Sequence, residues 1–140
     1  MRAMRYETKT AIVLRRGDLA AWQIANVAAF LAGGLAGFFR EIVGERYRDA
    51  SGRLYAPLIR EPVFVYGGTA AELTRTLQRA LSRNLRVAIY TEPLFKTTDD
   101  FANRDQVAAC PTDALDLVGL GLHADRKTID KVVSGLKFLD

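Results

Sequence analysis

Two side-chain amides, Gln23 and Asn26, lie in a stretch without charged residues, 19–39 or LAAWQIANVAAFLAGGLAGFF. An amide both donates and accepts hydrogen bonds, so it can orient a ligand or stabilise an oxyanion without carrying a charge. We expect both amides at the start of a helix that follows the first strand, where open α/β sheets commonly bind ligands. They would then line a pocket beside Trp22, which could cover a ligand or pack against the sheet. The alternative is that the amides face solvent or satisfy nearby backbone groups.

The same stretch is long enough to cross a bilayer, which takes roughly 20 apolar residues. Gly33 and Gly37 even have the spacing that lets membrane helices dock closely. However, its large apolar residues recur every three or four positions and form one stripe, while the rest is diluted by alanine and glycine; the stripe consists of Ile24, Val27, Leu31, Leu35, Phe38 and Ile42. With Asp18 as its N-cap, we predict a helix packed on a sheet and no membrane contact.

Strands and helices alternate along the rest of the chain. Apolar, β-branched runs predict strands at 10–14, 62–66, 85–90 and 114–122. Helices are predicted from the Thr69 cap to about residue 83, with a buried stripe of Leu73, Leu77 and Leu81, and over 125–134. This order predicts an α/β fold with the sheet covered on both faces, in one domain spanning 1–140.

Composition narrows the chemistry. The net charge of +4 and the pI of about 9.5 allow a polyanionic partner without requiring one. With one cysteine and one histidine, neither a disulfide nor a Cys/His-rich metal site can form, so we predict no metal, no cofactor and a reducing, cytoplasmic setting. We expect Cys110 to be buried, His123 to lie at the surface, and Gly67 and Gly68 to form a turn.

Both ends of the chain resemble a known family. IVLRRGDL followed by QIANVAAFLAGG is similar to the opening strand and helix of peptidyl-tRNA hydrolase type II, and LDLVGLGLHADRKTIDKVVSGLKFL is similar to that family's ending. The match at the ending is carried by Gly119, Gly121, Ile129, Asp130, Lys131, Val132, Gly135, Leu136, Lys137 and Leu139. The chain also resembles the uncharacterised domain-of-unknown-function family 2000, which we associate with the same fold. The resemblance implies a three-layer α/β/α domain around a four-stranded mixed sheet, and a homodimer.

The positions that are catalytic in the hydrolases differ here. Gln23 stands where the family has a catalytic lysine, and Phe30 where it has a histidine. The family's Asp-Ala-Gly-x-Thr is replaced by YTEPLFKT at 90–97. Ester hydrolysis needs a positioned water and a stabilised oxyanion. By this resemblance Gln23 would donate to the oxyanion and Glu92 would act as base, with Lys96 or Thr97 as a further polar contact.

Three functions follow from these residues. The first is a diverged protein that binds a small ligand or a nucleic-acid end, such as that of tRNA, in the equivalent cleft. Its lining would include Asp18, Trp22, Gln23, Asn26, Glu92 and Thr97. The second is an active hydrolase of peptidyl-tRNA or a related ester, with Gln23 and Glu92 as catalytic residues. The third is a homodimeric interaction protein that uses the Ala/Gly face of the first helix and the apolar tail.

Overall fold

The computed structural model describes residues 6–140, so the basic residues Arg2 and Arg5 lie outside it. This part of the chain forms a mixed α/β fold with one five-stranded sheet and four α-helices. The strands are β1 (Thr8–Arg15), β2 (Val63–Gly68), β3 (Ala88–Thr91), β4 (Leu117–Asp125) and β5 (Lys137–Phe138). The helices are α1 (Ala21–Phe38), α2 (Ala70–Ser82), α3 (Asp100–Ala108) and α4 (Arg126–Val132), with short 3₁₀ turns at Arg40–Ile42, Glu92–Lys96 and Thr112–Ala114.

The sheet order is β3-β4-β1-β2-β5, with β1 and β2 parallel and the other neighbours antiparallel. The expectation of four strands is therefore wrong, because the tail adds a fifth. Gly135 adopts a φ of +90°, a conformation open mainly to glycine, and Lys137 and Phe138 then pair with Gly67 and Tyr66. Gly67 and Gly68 accordingly lie in β2 rather than in a turn.

Both faces of the sheet are covered, as the sequence predicts. On β1, Ala11 and Val13 pack into a core with α2 and α4, whereas Ile12 and Leu14 pack into a second core with α1. This division follows from the alternation of side chains along a strand. The α1 layer is the one that bears on function, because it forms one side of the cleft described below.

Helix α1 packs on the sheet through a narrower stripe than predicted. Val27, Leu31 and Leu35 are buried, whereas Phe38 is 65% exposed. By length and composition, α1 could cross a membrane, and 17% of it is buried. The buried residues pack on the sheet of an α/β domain. In α2, Leu73 and Leu77 are buried as predicted, but Leu81, in the last turn, is exposed.

Two side chains have the opposite burial from that expected. Cys110 follows α3 and is exposed. His123 is buried because β4 extends to Asp125 and keeps it within the sheet. Its Nδ1 lies 2.9 Å from the hydroxyl of Thr10 and 3.6 Å from Oε1 of the buried Glu61. This cluster fixes the segment before β2 to the sheet.

Candidate functional site

Arg15, the last residue of β1, holds three carboxylates together. Its guanidinium donates to Asp18 at 2.9 and 3.0 Å, to Glu92 at 2.7 Å and to Asp116 at 3.3 Å. The arginine side chain is only 11% exposed. Burial alone would lower the pKa of Arg15, but the hydrogen bonds to Asp18 and Glu92 raise it. Glu92 is therefore one partner in an ion-pair cluster that connects β1 to the turn after β3.

The start of α1 differs from the prediction. Asp18 binds Arg15, so it is not the N-cap; Ala20 takes that position. Gln23 accepts a hydrogen bond from the backbone N–H of Ala20 through its Oε1 at 2.9 Å. The oxygen of the Gln23 amide thus satisfies a backbone group, as one of the two alternatives in the sequence analysis expected. Its NH₂ group makes no hydrogen bond to the described residues.

A cavity of about 370 Å³ lies between α1 and the segment that leads into α3. We call it the aromatic cleft; its lining consists of Trp22, Asn26, Phe30, Tyr90, Leu94, Phe95, Thr97, Thr98, Asp99, Asp100 and Asn103. Trp22, Asn26 and Phe30 are spaced four apart on α1, so they share one face of the helix. The cleft opens along β3 into a larger cavity of about 550 Å³, lined in part by Gly34 and Arg104.

The aromatic cleft brings together three of the predicted binding residues, Trp22, Asn26 and Thr97. The hydroxyl of Thr97 contacts the side-chain oxygen of Asn103 and lies 2.9 Å from the carbonyl oxygen of Leu94. Glu92 lines a separate cavity of about 420 Å³. Thr97 belongs to both cavities, whereas Asp18 and Gln23 belong to neither.

Four aromatic rings form a continuous chain along the aromatic cleft, and we call them the aromatic quartet. The centroids of Trp22 and Phe95 are 6.2 Å apart, those of Phe95 and Tyr90 are 5.1 Å apart, and those of Tyr90 and Phe30 are 5.8 Å apart. Trp22 and Phe30 are 61% and 58% exposed. Large aromatic side chains usually bury most of their surface, so these two rings leave apolar area in the cleft uncovered.

Tyr90 lies at the base of the aromatic cleft and is only 6% exposed. Burial of the phenol, and then the negative charge of Glu92, raise the pKa of Tyr90, so its hydroxyl is neutral at physiological pH. This hydroxyl makes no hydrogen bond to residues 6–140. Every fully buried side-chain nitrogen or oxygen in those residues has a hydrogen-bond partner, so the Tyr90 hydroxyl is not fully buried. The hydroxyl therefore keeps access to the cleft.

The charged residues that line the aromatic cleft are acidic. Asp99 is the N-cap of α3 and accepts the backbone N–H of Ala102 at 2.7 Å. Asp100 pairs with Arg104 on the next turn of α3. Neither lysine nor arginine is among the residues that line this cavity. Within residues 6–140, no group of three or more His, Cys, Asp or Glu side chains is arranged to hold a metal ion.

Sequence reasoning missed Arg15, Tyr90, Phe95 and Asn103 as residues of this region, and treated Phe30 only as a replaced histidine. A signal for Phe30 was present, because it repeats the four-residue spacing of Trp22 and Asn26. Tyr90 and Phe95 come from a strand end and a 3₁₀ turn distant in sequence, so local spacing could not join them to α1.

The fold and the cleft define a mixed α/β protein with a cavity of ligand size at one edge of its sheet. The chain belongs to the family described as Protein of unknown function (DUF2000), which it matches over residues 8–140. It is similar to the solved structure of the protein of unknown function Atu0240 from Agrobacterium tumefaciens strain C58. The two are 40% identical with a TM-score of 0.93, over 97% of this chain and 100% of that one. No curated protein matches the chain.

Proposed function

We propose that this DUF2000 protein binds a small ligand in the aromatic cleft, on a fold of the peptidyl-tRNA hydrolase II type. The aromatic quartet is the observation that carries this proposal. Two of its rings, Trp22 and Phe30, are more than half exposed beside the nearly buried Tyr90. Ligand sites combine apolar and aromatic lining with a few polar groups that fix orientation, which Asn26 and Thr97 supply here.

The charges of the cleft favour a small ligand over a nucleic-acid end. Phosphate groups are bound by lysine, arginine or free backbone N–H groups. The aromatic cleft is lined instead by Asp99 and Asp100, whose carboxylates repel a polyanion. Although the chain has a net charge of +4, its positive excess is not located at this cleft.

The alternative of an active hydrolase relies on Gln23 and Glu92. The free NH₂ group of Gln23 supports a role in stabilising an oxyanion. Glu92, however, has its Oε2 2.7 Å from the guanidinium of Arg15, so that oxygen is already held in an ion pair and is not free to position an attacking water. Hydrolysis of N-acyl-aminoacyl-tRNA above the uncatalysed rate, lost in both Gln23→Ala and Glu92→Ala, would favour this alternative over binding alone.

The chain provides its own reporter for ligand binding, because Trp22 is its single tryptophan. We would screen planar small molecules by the fluorescence of Trp22 and compare the protein with Phe30→Ala and Phe101→Ala. Phe101 is 69% exposed on α3 but does not line the cleft, so it is the matched control. We expect hits whose affinity falls at least about fivefold in Phe30→Ala and is unchanged in Phe101→Ala. Equal loss in both variants, or no hits, would reject the cleft as a site.

We propose that the protein is a homodimer that uses the outer face of α1, which is exposed along most of its length. We also propose a cytoplasmic location, because an exposed free thiol such as Cys110 is best tolerated in a reducing compartment.

A further inference from the structure

We propose that the aromatic cleft selects planar organic cations over neutral and anionic molecules of the same shape. This inference deepens the proposed function and rests on it, because it names the chemical class of the ligand. Three features of the cleft support it: the faces of its aromatic rings, the sign of its charges, and one accessible hydroxyl that makes no hydrogen bond within residues 6–140.

The rings supply the first argument. An aromatic ring carries negative charge density on its face, so a cation placed over it is attracted electrostatically. Trp22, which gives the strongest such interaction, and Phe30 are the more exposed members of the aromatic quartet. A planar cation can stack on these faces, whereas a tetrahedral anion gains nothing from them.

The charges supply the second argument. Asp99 and Asp100 line the cleft, and no cationic side chain does. Asp100 is offset by its pairing with Arg104 in the adjoining cavity, so the charge that remains in the lining is that of Asp99, while Arg15 is surrounded by three carboxylates. A cation therefore enters a region of favourable potential.

Tyr90 supplies the third argument. It is a polar side chain more than nine-tenths buried, it lines the cleft, and it has no hydrogen-bond partner in residues 6–140. Because no fully buried side-chain oxygen in these residues lacks a partner, this hydroxyl is accessible and free to bind a ligand. As a neutral phenol, Tyr90 can hold a polar substituent of the ligand, and the amide of Asn26 can hold a second at the rim.

The test uses three planar molecules of nearly the same size at neutral pH: 1-methylnicotinamide, a cation; nicotinamide, which is neutral; and nicotinate, an anion. Binding is measured by calorimetry and by the shift of the single indole N–H resonance of Trp22. We expect the cation to bind about tenfold more tightly than nicotinamide, and nicotinate to bind most weakly. Affinity for the cation should fall as salt is added.

Charge variants test whether the preference for a cation comes from the aspartate charges or from the shape of the cleft. Asp99→Asn keeps a good N-cap for α3 while removing the charge, and Asp100→Asn removes the second. In the double variant we expect affinity for 1-methylnicotinamide to fall about fivefold or more and affinity for nicotinamide to stay unchanged. Asp113→Asn, an exposed aspartate outside the cleft lining, is the matched control and should change neither.

The outcomes distinguish the two proposals. Equal binding of cation and neutral molecule, with the Trp22 resonance shifted by both, would overturn the charge selectivity and leave ligand binding in the cleft intact. Tightest binding of nicotinate would overturn the selectivity as well. If none of the three molecules shifts the Trp22 resonance, this inference fails, whereas the proposed function fails only if the wider screen of planar molecules also finds no ligand.

Discussion

Arg15 links three parts of the chain at the end of β1, because Asp18, Glu92 and Asp116 all bind its guanidinium. The carboxylates are 46–62% exposed, while the arginine is nearly buried. Each carboxylate therefore keeps part of its hydration, but the three lie close enough to repel one another once the cation between them is removed. The central arginine is therefore the residue on which the stability of the cluster depends.

We predict that Arg15→Ala lowers the free energy of unfolding by about 1–3 kcal/mol, because it leaves three carboxylates close together around an unfilled space. Urea denaturation measures this loss, which should shrink at high salt as repulsion is screened. Arg75→Ala is the matched control, since Arg75 is 49% exposed and pairs with Glu72 on the same helix. It should cost no more than about 0.5 kcal/mol. Equal losses in the two variants would show that the Arg15 cluster adds no stability.

Single residues were predictable where local sequence decides their surroundings. The predicted first helix placed Trp22 and Asn26 beside a pocket, and the family resemblance at 90–97 pointed to Thr97. All three residues line the aromatic cleft. Asp18 was misassigned because the preceding Arg15 competes for its carboxylate. His123 was misassigned because its partners, Thr10 and Glu61, lie more than 60 positions away, beyond the reach of any local pattern.

At the scale of elements, the position of α1 depends on glycines in β4. A Cβ added at Gly119 would lie 2.9 Å from atoms of Val27 and Leu31, and one added at Gly121 would lie 3.1 Å from Leu35. The glycines therefore let the buried stripe of α1 approach the sheet closely. The Gly-x-Gly pattern was visible in the sequence, but its partner helix was not, because α1 precedes β4 by about 80 positions.

We predict opposite effects for two glycine-to-alanine substitutions. Gly119→Ala forces α1 away from β4 and should lower the free energy of unfolding by about 1–3 kcal/mol. Gly34→Ala, at an exposed position of α1 where the added Cβ would meet only Ala88 at an ordinary 3.9 Å, should raise it by up to about 1 kcal/mol through helix propensity. Chemical denaturation of both variants checks this. If Gly119→Ala is neutral, the packing of α1 on β4 is looser than described here.

Helix α4 begins at a charged cap whose effect depends on pH. The Asp125 carboxylate accepts the hydroxyl of Thr128 at 2.7 Å and its backbone N–H at 3.0 Å. These bonds, the hydroxyl first, hold the pKa of Asp125 below its ordinary value. The folded state therefore favours the charged form. The stability from this cap is present above the pKa of the unfolded chain and is lost as pH falls through the lower folded value.

We predict that Asp125→Asn lowers the melting temperature at neutral pH and that the difference from the unmodified protein closes in acid. Asparagine remains a good N-cap, so the variant should be more stable at neutral pH than Asp125→Ala. Thermal melts between neutral pH and about pH 3 measure both gaps. A gap between the protein and Asp125→Asn that is the same at every pH would show that the charge of Asp125 makes no contribution.

For the whole molecule, the sequence predicted an α/β fold with both faces of the sheet covered, because alternating apolar runs and helical stripes report burial directly. The fifth strand escaped this reasoning, since Lys137 and Phe138 are too few to show an alternation. Phe138 stacks on Tyr66 with centroids 5.0 Å apart, so the apolar tail is part of its own sheet. Phe138 is nevertheless 60% exposed, so the tail stays available, together with α1, for the proposed dimer contact.

The outer face of α1 carries a row of exposed small residues spaced four apart, Ala25, Ala29, Gly33 and Gly37. Such a row lets a second helix approach closely, which is the basis for expecting a homodimer. We predict that sedimentation finds a dimer and that Ala29→Glu gives a folded monomer, because two carboxylates would meet at the symmetric contact. Gln78→Glu, at an exposed position of α2, is the control and should remain dimeric. A monomer already in the unmodified protein would reject the homodimer.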